Sequence, residues 1–334
     1  MDLTTRYLGL ELAHPLMAGA SPLVDDLDNV RRLEDAGTSA IVMHSLFEEQ
    51  IVAEELHVMH ATDSHGDSHG EASTYLPMPE AFKLGPEEYL EQCRRIKEAV
   101  GVPVLASLNG TTKGGWLRYA GLLAEAGADA LELNVYEVPT DPLRSAAEIE
   151  DNILDMLVEV KNRVSIPIAL KLSPFFTSLP HFAKRCEEAG ADGLVLFNRF
   201  YQADIDPEEL AVERSLRLSD ESSLLLRIRW LALLSPLLDL SLACSGGVHT
   251  VEGTVKALMA GADAVQVVSS LLRKGPEQLE VLRRGLESWL EAHEYDSLDQ
   301  CRDSMNLDKS PDPGAFTRAN YMHILQTWRC PWGP

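Results

Sequence analysis

Four stretches of the chain share one punctuation. Ala36-Gly37, Ala126-Gly127-Ala128-Asp129, Ala189-Gly190-Ala191-Asp192 and Ala260-Gly261-Ala262-Asp263 each close an amphipathic segment and open a short apolar run. Apolar residues recurring every three or four positions predict a helix packed on one face, and the glycine after them predicts its C-terminal cap. The apolar run that follows reads as a parallel strand buried on both faces. Two further strands start at Gly101-Val102-Pro103-Val104 and Ser165-Ile166-Pro167-Ile168, with proline where no ladder donor is needed. The predicted strands are 15–20, 40–44, 104–109, 130–134, 168–172, 193–197, 242–244 and 264–268, with helical patterns between them. Such alternation predicts an α/β fold with a parallel sheet covered by helices, and eight strands predict closure into a (β/α)8, or TIM, barrel.

The connections are uneven. The loop 46–85 is far longer than an ordinary strand-to-helix link and rich in His, Asp, Glu and Ser, so it reads as a lid-like insertion or a subunit contact. The stretches 135–145 and 199–220 also exceed connector length. A C-terminal tail, 293–334, carries an Asp-Lys-Ser-Pro-Asp-Pro link and then a helical pattern over about 314–328. Barrels of this type reach 334 residues with insertions, so the expectation is one domain spanning 1–334.

Charge narrows the partners. With 52 acidic and 29 basic residues the formal charge is −23, which repels nucleic acid and anionic membrane surfaces. An anionic ligand must therefore be held by local donors. The five cysteines, Cys93, Cys186, Cys244, Cys301 and Cys330, show no C-x-x-C spacing, so no zinc or iron–sulfur site is expected. His57, His60, His65 and His69 lie in a polar glycine-containing segment without metal-ligand spacing, which reads as a solvated loop. The start has no basic region followed by an apolar core, and the apolar stretch 224–243 is broken by Arg227, Arg229, Pro236 and Asp239. A cytoplasmic protein with reduced thiols is expected.

In a barrel the chemistry sits where strands end. Ser245-Gly246-Gly247, followed by a helix and the strand ending at Ser269-Ser270, reads as a phosphate cradle, since glycine lets backbone N–H groups approach an anion. Lys171 ends an otherwise apolar strand, and a buried ammonium needs an anionic or electron-rich partner. That partner is either a ligand or Glu132 on the neighbouring strand. A barrel lysine also keeps Schiff-base chemistry open, as in a lyase or isomerase. Asn109, Asn134 and Asn198 offer amides suited to a planar heterocycle or a carboxylate. Gln266, inside an apolar strand, serves either a core network or the ligand; His249 either reaches a phosphate or caps the next helix.

Taken together, Gly9-Leu10-Glu11-Leu12-Ala13-His14-Pro15 running on to Ser21, Leu131-Glu132-Leu133-Asn134, Leu170-Lys171-Leu172-Ser173-Pro174, Asn198, Ser245-Gly246-Gly247 and Val265-Gln266-Val267 resemble the dihydroorotate dehydrogenases. The likeness covers about residues 3–274, and Ala319-Asn320-Tyr321 with Leu325-Gln326 resembles a bacterial dihydroorotate dehydrogenase-like branch. The resemblance implies an FMN-dependent oxidoreductase acting on a CH–CH bond, related to pyrimidine biosynthesis. It implies a small cyclic polar substrate, a homodimer and an electron-transfer partner. It further implies flavin contacts from Ala20, Ser21, Ser45, Asn109, Asn134, Lys171, Ser245, Gly246, Gly247, Gln266, Ser269 and Ser270, with Asn134 and Asn198 facing substrate. In that family the loop after the strand ending at Asn134 carries a cysteine or serine base. Here Glu137 takes that place beside Tyr136, and His44 stands where the family has a lysine. Lys171, Glu137 and Tyr136 are thus the candidate catalytic residues, with a non-catalytic or regulatory flavin-binding role as the alternative.

Overall fold

The computed structural model describes residues 1–52, 85–110, 112, 114, 117–199, 203–213, 216–327 and 329. An antiparallel hairpin of β1 (Thr5–Tyr7) and β2 (Leu10–Leu12) precedes the barrel. The barrel strands are β3 (Leu16–Ala18), β4 (Ile41–Phe47), β5 (Val104–Asn109), β6 (Ala130–Asn134), β7 (Ile168–Leu172), β8 (Gly193–Leu196), β11 (Ser241–Ser245) and β12 (Ala264–Val267). They close in the order β11-β12-β3-β4-β5-β6-β7-β8, all parallel. A second hairpin, β9 (Asp204–Asp206) and β10 (Ala211–Glu213), rises from the connection after β8. Every predicted strand is present, and neither hairpin is predicted. The predicted tail helix divides into a short turn, Pro313–Phe316, and a helix, Ala319–Thr327. Most of the predicted lid, with His57, His60, His65 and His69, lies outside the described residues.

The Ala-Gly-Ala-Asp repeat has a mechanical explanation. Each aspartate lies at the N-terminal end of a strand and grips the strand before it. Asp129 N–H donates to Val104 O at 2.9 Å, and the Val104 N–H returns to Asp129 Oδ2 at 2.6 Å. Asp192 does the same with Ile168 and Asp263 with Leu242. A cation completes each clamp: Lys97 on Asp129, Lys161 on Asp192, and Arg302, from the segment after the barrel, on Asp263. In the first unit Ser39 replaces the aspartate, bonding Leu16 O through both its N–H and its hydroxyl. The Leu16 N–H is then left to His14 Nδ1, while His14 Nε2 lies 2.7 Å from Gly37 O. An acceptor Nδ1 fixes His14 as the neutral Nε2–H tautomer. Burial pushes its pKa down to about 4. Asp263, half-buried, has its carboxyl pushed up to about 6 by desolvation.

Inside the barrel the strands contribute a small layer, Met17, Val42, Leu105, Ala130, Ala169, Val195, Ala243 and Ala264. Alanine at so many positions leaves space, and Tyr7 from the first hairpin fills it, fully buried. Thr5 Oγ1 donates to Asp263 O and Leu8 N–H to Ser241 Oγ, which fastens the hairpin across the ends of β11 and β12. The larger core lies between the strands and the surrounding helices. Because side chains alternate along a strand, residues two positions beyond this layer face the same interior one step nearer the mouth. Among those residues are Ser107, Glu132, Lys171, Ser245 and Gln266.

Candidate active site at the barrel mouth

An apolar floor thus gives way to a polar layer within one alternation. Its centre is a closed set of bonds. Lys171 Nζ donates to Glu132 Oε1 at 2.9 Å and to Gln266 Oε1 at 3.1 Å, and Gln266 Nε2 donates to Glu132 Oε2 at 2.5 Å. All three residues are buried, Glu132 completely. Each side chain therefore bonds the other two, as a buried charge requires. Of the two partners open to Lys171, Glu132 is engaged, and Gln266 belongs to the same network. An ammonium has three N–H donors, so one of Lys171's is left over.

The amides line up above this set. Asn109 stands opposite Asn134, and Asn134 opposite Lys171, in the strand register. Asn134 Oδ1 is buried without a hydrogen-bond partner among the described residues. A shift in pairing between Val42 and Ser45 brings Ser45 Oγ to 2.8 Å from Ser107 Oγ. His44, next to it, lies edge-on to Tyr89 of the covering helix Pro86–Ala99, with its Nδ1 2.7 Å from Asp25 Oδ1. Ser21 is buried just beyond β3, beside the half-buried Ala20. Asn198 is half-buried at the end of β8, its N–H bonded to Leu172 O.

The glycine turn after β11 is left-handed at both residues, φ +96° at Gly246 and +86° at Gly247, which a side chain rarely tolerates. A Cβ on Gly247 would also stand 2.5 Å from Leu224 N, the first residue of the helix Leu224–Leu234. Beyond the turn, Thr250 caps the helix Val251–Met259, accepting from Gly253 N–H. His249 is not the cap. Its Nε2 lies 2.8 Å from Ser219 O, and Ser219 Oγ is 2.7 Å from Ser269 Oγ. The connection after β8 is thereby latched to the end of β12. Ser270 Oγ is buried with no hydrogen-bond partner among the described residues.

Two arginines to which the sequence assigns no site role stand here. Arg227 donates from Nε to Ser245 O at 2.9 Å and from Nη1 to Ser223 O at 2.8 Å, with its guanidinium 5.9 Å from the Phe197 ring centre. Arg199 follows β8, and its Nε is buried without a hydrogen-bond partner among the described residues. In the sequence Arg227 reads only as a break in an apolar stretch, 18 residues before the Ser245 carbonyl to which it bonds.

The two remaining candidates are less free than their positions suggest. The Glu137 carboxylate is ion-paired with Arg144. Burial raises the pKa of Tyr136, which suits a phenol that keeps its proton. The thiols of Cys93, Cys186, Cys244 and Cys301 are buried, and desolvation pushes them up to about 11, 12, 12 and 11. None of these four is an activated nucleophile. Among the described residues no three His, Cys, Asp or Glu side chains group as metal ligands, and no helix is long and apolar enough to cross a membrane.

A closed parallel barrel with buried amides, hydroxyls and a lysine gathered at the strand ends defines an enzyme of the (β/α)8 class. A model of the dihydroorotate dehydrogenase family matches residues 83–290. The catalytic subunit of dihydroorotate dehydrogenase B (NAD(+)) from Methanothermobacter thermautotrophicus is 30% identical over 223 residues, 65% of this chain and 72% of the relative. Its counterpart from Thermoplasma acidophilum is 25% identical over 307 residues, covering 89% and 96%. A putative dihydroorotate dehydrogenase A (fumarate) from Aeropyrum pernix is 29% identical over 213 residues, covering 60% and 67%. The chain belongs to the dihydroorotate dehydrogenase family, whose members are flavin-dependent dehydrogenases.

Proposed function

We propose that the whole chain acts as one FMN-binding barrel domain, an oxidoreductase working on a CH–CH bond of a small, cyclic, polar substrate at the mouth. The observation that carries this reading is the buried Lys171, held by Glu132 and Gln266 with a donor to spare, beneath the unsatisfied Asn134 amide. Such residues fit a flavin. An electron-rich ring edge would take the spare ammonium hydrogen and the amides of Asn109 and Asn134. Ala20, Ser21 and Ser45 border the same space, and the loops of Ser245, Gly246, Gly247, Ser269 and Ser270 suit a phosphate. Bound FMN supplies a two-electron carrier. Asn134 and Asn198 would hold the substrate, and Tyr136 would keep a proton available at neutral pH.

Relatives named as catalytic subunits support a separate electron-transfer partner for this chain as well. The ion pair of Glu137 with Arg144 favours a second reading, in which flavin binds but dihydroorotate is not the substrate. The Schiff-base reading loses support, because the Lys171 amine is committed to Glu132. The deciding measurement is the cofactor. Purified protein should be yellow and release FMN, not FAD, on denaturation, and a colourless protein that takes up no FMN would overturn the proposal.

A further inference from the structure

The 52 acidic residues outnumber the basic ones so far that most half-buried cations have found a carboxylate. Lys97 pairs with Asp129, Lys161 with Asp192, and Arg302 with Asp263. Arg227 does not. Among the described residues its Nε and Nη1 bond only to carbonyl oxygens, and the charged group that acts on it is a second cation, Arg199. Arg199 makes no ion pair among the described residues either, and its Nε is an orphan. Two neighbouring guanidiniums with no carboxylate repel each other, and desolvation holds the Arg227 pKa below its ordinary value. Half-buried like charges of this kind persist more readily where an anion completes them.

The position of the pair says which anion. Arg227 Nη2 lies against the glycine turn, so close that a Cβ on Gly246 would be 3.1 Å away. Glycine at 246 therefore meets two demands at once, a left-handed backbone and room for a guanidinium. The N–H groups of a left-handed Gly-Gly turn form a concave donor set but carry little charge of their own. A dianionic phosphate needs more in a chain with net charge −23, because the long-range field opposes it.

Resting on the flavin reading of the two late loops, we infer that Arg227, with Arg199 beside it, supplies the positive charge of the phosphate subsite. The site thereby selects ligands ending in a phosphate monoester. Arg227 approaches from the helix Leu224–Leu234, behind the turn, and so adds charge without occupying the cradle. Guanidinium suits this task better than ammonium, since its planar donors bond Ser245 O and Ser223 O while one face of the fork stays open.

The test compares two ligands that differ only in the phosphate. Full-length protein freed of flavin is titrated with FMN and with riboflavin, and its thermal midpoint is recorded with and without inorganic phosphate. Wild type should prefer FMN and gain stability from phosphate. Arg227→Gln should weaken FMN by about ten- to a hundredfold, the loss expected for a charge-assisted bond, and leave riboflavin within about threefold. Arg227→Lys should keep most of the preference, and Arg199→Gln should lose part of it. Equal losses for both ligands, or an unchanged preference in Arg227→Gln, would show that the arginine only props the turn and would overturn the inference. If neither flavin binds but phosphate still stabilises wild type and not Arg227→Gln, the flavin reading fails and the charge assignment stands. Should Arg227→Gln not fold, Arg199→Gln and Arg227→Lys carry the same comparison, and an unchanged preference in Arg199→Gln then overturns the pairing.

Discussion

Lys171 Nζ stands 2.9 Å from Glu132 Oε1 on the adjacent strand, and neither side chain reaches solvent to any useful extent. Ionic partners in such a place are bound to each other's presence. Removing one leaves a charge with nowhere to go, which costs about 3–5 kcal/mol, whereas removing both with shape kept is far milder. Lys171→Met and Glu132→Gln should each lower the thermal midpoint strongly, and the double variant should recover most of the loss. In flavin-loaded protein Glu132→Gln should raise the flavin's reduction potential, because the remaining cation favours the electron-rich form. Additive losses in the double variant would show that the two residues do not act as a pair.

Dihydroorotate should reduce the bound flavin slowly or not at all. The position that the family resemblance assigns to a base carries Glu137, already ion-paired with Arg144, and burial raises the pKa of Tyr136. Anaerobic stopped-flow bleaching of the flavin reads this directly. Rapid bleaching at neutral pH would identify Glu137 or Tyr136 as a working base, and a slow reaction restored in Glu137→Cys would locate the defect in the base alone.

Acid should destabilise the fold through His14. Its pKa is about 4 folded against about 6.5 in an open chain, so its contribution is complete above pH 6.5 and is lost as pH falls toward 4. The loss amounts to about 3 kcal/mol by linkage. Chemical denaturation between pH 7 and 4 should therefore steepen in wild type and flatten in His14→Gln. Identical slopes would mean that the imidazole is not held neutral.

The strand clamps should depend on the carboxylate more than on its cation. Asp192→Ala strands the Ile168 N–H and should cost about 1–3 kcal/mol, while Lys161→Ala loses a partly exposed ion pair worth under about 1 kcal/mol. Comparing their thermal midpoints tests this ordering. An equal or larger shift in Lys161→Ala would reverse it.

The barrel is legible in the sequence because its signals are local and repeated. Glycine at a helix end, aspartate after it and an apolar run are neighbours in the chain, and the repeat Asp129, Asp192, Asp263 makes the period visible. The strand-end polar residues follow from alternation, so Glu132, Lys171 and Gln266 fall in one layer as soon as the strands are known. What escapes depends on contacts between distant segments. Ser219 meets Ser269 across 50 residues, and Arg227 reaches Ser245 from the preceding helix, with no spacing to announce either. The hairpin β1–β2 escapes for a similar reason, since Tyr7 has meaning only against alanines supplied by strands far along the chain.

That tyrosine ties the barrel's closure to its most distant contacts. Thr5 bonds Asp263 and Leu8 bonds Ser241, separations of 258 and 233 residues, so the plug cannot seat until the final strands stand beside β3. Loop closure over such distances comes before any reward from packing. A smaller residue in place of Tyr7 would leave a space in the alanine layer beneath the polar one and give water a route upward to Glu132 and Lys171. The hairpin is therefore a stopper: by sealing the lower end it keeps the charged pair dry and leaves the upper end as the way in.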